Sequence, residues 1–227
     1  MMENFLASTM LFQGLKPDEI EQILPCLQAE KKTAVRGEVI LRAGARTERM
    51  GMVLSGSVQI ENDDLWGNKS ILDRVMPGEV FAETYALRRD EPMLVSAVAI
   101  ERTEVLLLNA GRIGTPCGKR CEHHETLIRN LLMAAAQKNL QLSRRIFYTT
   151  SKTIRGRVLS YLSDQAVRQG KSDVEIPFNR QQMADYLSVD RSALSGELSK
   201  MQRDGLLTVH KNHFSLRKPI IERDETI

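Results

Sequence analysis

Between Lys31 and Asn109 the apolar residues come in short runs, each bounded by polar or glycine positions. The runs are Val39–Leu41, Met52–Leu54, Val58–Ile60, Ser70–Leu72, Val95–Ile100 and Val105–Leu108, with Gly37, Gly44, Gly56, Gly67 and Gly78 between them. Many short β-rich runs at such spacing predict a sandwich or barrel. Arg36–Val39 (R-G-E-V) and Pro77–Val80 (P-G-E-V) echo one another, and each is expected to be a turn entering a strand. Upstream, Ile20, Ile23, Leu24 and Leu27 follow helical spacing behind Pro17, which suits a first helical turn, so a short helix is expected there.

From about Glu122 to Tyr148 the period changes. Ile128, Leu132, Ala135, Asn139, Leu142 and Ile146 alternate steps of four and three, the a/d seam of paired helices. The same spacing would serve a helix packed on its own barrel. Its length and its place between two domains favour a homodimer interface, with Asn139 as a polar member that fixes register. Tyr148–Ser151 is a polar break, expected as a hinge. Thr153–Gln169 is again amphipathic and stops at Gly170, and Val174–Ile176 reads as a short strand.

Arg180–Leu187 predicts a short helix with Met183, Ala184 and Leu187 inward. Ser188–Asp190 predicts a turn, and Arg191–Asp204 a second helix with Leu194, Leu198 and Met201 inward and Asp190 as N-cap. Two helices joined by so short a turn form the helix-turn-helix pattern. Gly205 ends the second helix; Leu206–Val209 and His213–Leu216 then read as two strands joined around Lys211-Asn212, a wing. A helical hairpin that only packs against protein is the plainer alternative, and the wing argues against it. In a major groove the N-terminal residues of the second helix reach base edges, here Arg191, Ser192 and Ser195. Arg180, Gln181, Lys200 and the wing residue Lys211 are candidates for phosphate contact, which positions without specifying.

Composition changes this picture little. The chain of 227 residues is 42% hydrophobic, enough for one or two ordinary domains. Its net charge of +3 lies entirely after Tyr148, in agreement with phosphate contact by the C-terminal part. Three cysteines are too few for a disulfide scaffold, and neither a leader peptide nor a membrane span is apparent, so a reduced, cytoplasmic protein without membrane attachment is expected. Cys117 and Cys121 with His123 and His124 form a candidate metal or redox set; buried thiols and surface histidines are the plainer reading. Trp66 is expected at a hairpin tip and Cys26 in a core. No nucleophile–base set or phosphate-binding loop is present, so an enzyme is not expected.

The ordered set resembles the Crp/Fnr superfamily of bacterial transcription regulators. The residues that carry the resemblance are G-E-V-I-L-R-A-G at Gly37–Gly44, L-S-G-S-V at Leu54–Val58, P-G-E-V-F-A-E at Pro77–Glu83, and N-R-Q-Q-M-A-D-Y-L-S-V-D-R-S-A-L-S at Asn179–Ser195. It implies an α+β chain: an N-terminal double-stranded β-helix (jelly-roll) sensor domain, a long dimerisation helix and a C-terminal winged helix-turn-helix domain, over residues 1–120, 121–148 and 149–227. It further implies a homodimer on pseudo-palindromic double-stranded DNA, a small-molecule effector in the barrel, and RNA polymerase as partner if the protein activates. The implied effector pocket comprises Phe81, Ala82, Glu83, Met93 and Leu94, with Asn139, Leu142 and Ser143 on the dimer helix. Cyclic-AMP-binding members carry Arg-Ser where this chain has Met93 and Leu94, so cyclic AMP is not expected and the effector is unidentified. Ser192 replaces a glutamate common in the family and Gly196 an arginine of the oxygen-sensing branch, which implies an unfamiliar operator. Two other readings stay open: the same reader controlled by metal or redox chemistry at Cys117/Cys121, and a cyclic-nucleotide module that regulates a protein partner.

Overall fold

In the computed structural model, residues 2–63, 69–114 and 123–217 are described. The chain divides into two compact units, Met1–Ala136 and Gln137–Ile227. The first contains helices α1 (Met2–Ala7) and α2 (Pro17–Ile23), then strands β1 (Glu30–Ala34), β2 (Val39–Leu41), β3 (Arg49–Ser55), β4 (Val58–Asp63), β5 (Lys69–Val75) and β6 (Val80–Phe81). Helix α3 (Glu83–Leu87), strands β7 (Ser96–Ala99) and β8 (Thr103–Asn109), the short α4 (Ala110–Ile113) and the start of α5 (His123–Thr149) follow.

Two antiparallel four-stranded sheets run in the orders β1-β8-β3-β6 and β2-β7-β4-β5, the interleaved order of a jelly roll. Alternation along each strand sends side chains to opposite faces. Val105, Leu107, Val53 and Phe81 of the first sheet share a core with Val58, Val75, Ala97 and Ala99 of the second. Leu106, Leu108, Met50 and Met52 point the other way, into a second core built with Leu6, Phe12, Ile20, Ile23 and the α5 residues Leu127 and Leu131. The unbroken apolar run Val105–Leu108 is thus a strand covered on both faces. Gly51 is required where it stands: a Cβ there would lie 2.1 Å from the Phe81 ring.

The two echoing turns are the same device. Gly37 and Gly78 adopt φ of 85° and 88°, and the next residue, Glu38 or Glu79, accepts with its carboxylate from the amide of Val35 or Met76. Each turn also exchanges two backbone hydrogen bonds with a neighbouring strand residue, Ala99 or Val53.

On α5, the residues that face the barrel are Leu127, Leu131 and Ala134, with Asn130 donating to the carbonyls of Leu11 and Gln13. The heptad residues Ile128, Leu132 and Ala135 are on a different, exposed face.

The second unit holds the end of α5, then α6 (Ile154–Gln169), β9 (Asp173–Glu175), α7 (Arg180–Tyr186), α8 (Arg191–Arg203), β10 (Leu207–His210) and β11 (His213–Leu216). Thr153 caps α6 through the Gly156 amide, and Gly170, at φ 64°, ends it. The strands form an antiparallel sheet in the order β10-β11-β9, and a core of Val158, Leu162, Met183, Ala184, Leu194, Leu198, Met201 and Phe214 joins helices and sheet. Tyr148 of α5 belongs to this core, and its hydroxyl donates to Asp164 Oδ2 at 2.6 Å. No helix among the described residues is long and apolar enough to cross a membrane.

Candidate nucleic-acid interface

Two side-chain caps set the helix-turn-helix. Asn179 and Gln182 form a reciprocal capping box at the start of α7, each side chain accepting from the other's amide at 2.9 Å. Asp190 caps α8, accepting from the Ala193 amide at 2.8 Å and from the Ser192 hydroxyl. That hydroxyl, and then the amide, hold the Asp190 carboxyl below its ordinary range. Between the helices, Ser188 takes φ 54°, the left-handed bend that turns one helix across the other. Ala184 beneath the turn is completely buried, as expected of a small residue at a close crossing.

The face of α8 opposite Leu194, Leu198 and Met201 is open. Ser192, Ser195, Gly196, Ser199 and Lys200 are exposed away from that stripe, and Arg191, three residues before Leu194, is exposed at the N-terminal end of the helix. Arg191 stands at the first helical position with its side chain free to reach outward. Ser192 is partly committed to its cap. Gly196 has open space where a side chain would project.

The remaining predicted residues divide. Arg180 and Lys211 line one groove of about 450 Å³, with Phe178, Asn179, Gln182 and Asn212. The Arg180 guanidinium lies 5.8 Å from the Phe214 ring centroid, and burial lowers its pKa from the ordinary guanidinium value. Lys211 occupies the tip of the β10–β11 hairpin at φ 57° and is exposed. Gln181 donates its amide to Asp185 on its own helix at 2.8 Å.

Three arginines that sequence reasoning passed over hold this element from behind. Arg157 of α6 donates to the carbonyls of Leu187 and Ser188, at 3.1 and 2.8 Å, and to that of Ser151. Arg155 pairs with Glu197 and Asp204 of α8 and the residue after it, both at 2.7 Å. Arg145 of α5 donates to the carbonyls of Asp185 and Tyr186. The available signal was the pair of arginines in Ile154–Arg157, basic residues in the first turn of a helix, where the dipole disfavours them.

In the barrel, Phe81 and Met93 are buried, Glu83 is buried at the start of α3, and Leu94 is 67% exposed. Ala82 adopts φ 60° just before α3, and Met93 is held by backbone hydrogen bonds to Gly44 and Ala45. Asn139, Leu142 and Ser143 are exposed on the part of α5 that belongs to the second unit. Of the candidate metal set, Cys117 and Cys121 lie outside the described residues, as does Trp66. His124 is buried with Nδ1 3.1 Å from the Ile113 carbonyl, and His123 is half-buried. Among the described residues no three His, Cys, Asp or Glu side chains are grouped to hold a metal ion.

Two family models match this chain: a cyclic nucleotide-binding domain over residues 31–115 and a Crp-like helix-turn-helix domain over residues 156–219. The chain is 26% identical over 215 residues to the cyclic AMP receptor protein of Thermus thermophilus, covering 92% of each. It is 23% identical over 209 residues to a CRP-like cAMP-activated global transcriptional regulator of Mycobacterium tuberculosis, covering 90% of each. Its fold is similar to that of CprK in complex with OCPA, with a TM-score of 0.68 at 16% identity over 88% of this chain and 92% of that one. A c-di-GMP responsive global regulator, CLP of Xanthomonas campestris, is similar at a TM-score of 0.62 and 17% identity, over 89% and 99%. A jelly roll carrying the first match and a winged helix carrying the second, in one chain of this order, mean that the protein belongs to the Crp/Fnr family of transcription regulators.

Proposed function

We propose that this regulator works in the cytoplasm as a homodimer on a pseudo-palindromic DNA site, under control of an effector other than cyclic AMP. One observation carries the reading of DNA: α8 is capped, backed by an apolar core, and open along Arg191, Ser192 and Ser195. Arg191 offers two parallel donors to guanine O6 and N7, worth about 1–3 kcal/mol of discrimination. Arg180, Lys200 and Lys211 supply charge to the phosphates, and Gln181 adds a polar contact. The dimer rests on Ile128, Leu132, Ala135, Asn139, Leu142 and Ile146, an apolar stripe with one polar member that the single chain leaves uncovered.

The effector reading rests on Met93. A cyclic nucleotide brings a phosphate, and a phosphate taken out of water needs a cation. At the position where the cyclic-AMP binders of the family carry arginine this chain has a thioether, 3% exposed, although Glu83 is retained. The relatives named as cyclic AMP receptors therefore do not lend this chain their ligand. RNA polymerase is a partner if the protein activates.

Selection of bound duplexes from a random library, with and without cell extract, tests the first claim. An inverted repeat with half-sites about 10 base pairs apart is expected; a sequence-independent result overturns it. Calorimetric titration with cyclic AMP tests the second, and saturable micromolar binding overturns it.

A further inference from the structure

Arg155 sits in the first turn of α6 and engages the carboxylates of Glu197 and Asp204. Its Nε donates to Glu197 Oε1 and its Nη2 to Asp204 Oδ2, both at 2.7 Å. The two carboxylates lie in the middle of α8 and just past its end, so one guanidinium clamps the helix at two points seven residues apart. The second oxygen of Glu197 is 3.8 Å from Lys200 Nζ, at the limit of an ion pair. Glu197 is 17% exposed and Lys200 59%. A partly buried carboxylate is thus shared unequally between two cations: Arg155 takes it at hydrogen-bond distance, and Lys200 stays farther off and largely exposed.

We propose that Arg155 is a positioning residue for phosphate contact: by engaging Glu197 and Asp204 it keeps Lys200 available to DNA. Without Arg155, Glu197 is a half-buried anion whose nearest cation is Lys200, one helical turn away. Pairs at this spacing meet readily on a helix, so Lys200 folds back on Glu197 and its charge is cancelled where a phosphate would have used it. This inference rests on the reading of α8 as the DNA-contacting helix.

The salt dependence of DNA binding reports the outcome, because each phosphate neutralised adds about 0.9 to the slope of log K against log salt. The probe is a duplex recovered from library selection, measured with the full-length chain. Arg155→Met is expected to make the slope shallower by about 0.9 per protomer, and Lys200→Met by the same amount. In the Lys200→Met background, Arg155→Met should change the slope no further. Adding Glu197→Gln to Arg155→Met should restore it, and Glu197→Gln alone should leave it unchanged. Equal additive losses from Arg155→Met and Lys200→Met would mean that Arg155 touches phosphate itself, and they overturn the relay. An unchanged slope in Arg155→Met overturns it too. If Arg155→Met does not fold, a slope altered by Glu197→Gln alone is sufficient to reject the proposal. A wild-type chain that binds no duplex refutes the DNA-reading assignment and the relay with it.

Discussion

Replacing Leu142 by aspartate should take the dimer apart. Leu142 is 60% exposed on the single chain, on the same stripe as Leu132 and Ile146, which are each 67% exposed. Full burial of a leucine is worth about 1.5–3 kcal/mol, so covering the exposed part contributes about 1–2 kcal/mol. In a two-fold symmetric pair each position counts twice, and losing both leucines therefore removes about 2–4 kcal/mol. At about 1.4 kcal/mol per tenfold, the dissociation constant rises roughly 30- to 1,000-fold. The two aspartates add mutual repulsion across the seam, so the estimate is a lower bound. Sedimentation velocity over a dilution series reads the constant directly. Val167→Asp is the matched control, since Val167 is 64% exposed but lies on α6. A Leu142→Asp constant within about threefold of wild type, a change of less than about 0.7 kcal/mol, refutes the seam as the dimer contact.

Arg191→Ala should relax preference at one guanine per half-site by about 1–3 kcal/mol, while Lys200→Ala should weaken all sequences alike; library selection with each variant separates the two. Ala82 holds φ 60°, a conformation that disfavours any side chain by about 1–2 kcal/mol. Ala82→Gly relieves that strain against a smaller gain in unfolded-chain entropy, so urea unfolding should show a rise of up to about 1 kcal/mol, and a fall contradicts the strained backbone. Burial raises the pKa of the Tyr148 phenol well above its ordinary value, with the Asp164 carboxylate adding to it, and burial raises that of Tyr161 as well. The fold therefore favours the protonated phenols: this stability is complete below about pH 10 and is lost as pH rises beyond it, by up to about 1.4 kcal/mol per pH unit for each tyrosine. Unfolding of Tyr148→Phe followed from pH 8 to the alkaline limit should show a shallower decline, and an unchanged slope rules out this contribution of Tyr148.

The elements legible in the sequence were those whose signal is local. Glycine-bounded apolar runs marked most of the strands, though not the polar β1 (Glu30–Ala34), and the R-G-E-V and P-G-E-V echo marked two turns that proved to be one hydrogen-bonding design, because a glycine at positive φ and a glutamate after it are a complete local instruction. Steps of four and three marked α5, and the capped pair of short helices with its wing marked the reader. Helices α1, α3 and α4 left no such trace, since helices of four to six residues draw their stability from packing and not from propensity. Tertiary structure alone decided which face of α5 meets the barrel: Leu127, Leu131 and Ala134 are buried there, while the equally apolar Ile128 and Leu132 stay uncovered. The reason is that two apolar stripes on one helix are equivalent until a neighbouring surface selects one. The same holds for the arginines behind the reader. Arg155 and Arg157 find partners in the helix-turn-helix 30 to 49 residues away, among carbonyls and carboxylates that no sequence pattern ties to them. Residue type and spacing determined what α8 exposes to solvent, and only the fold determined what holds α8 in place and which of its charges are paired.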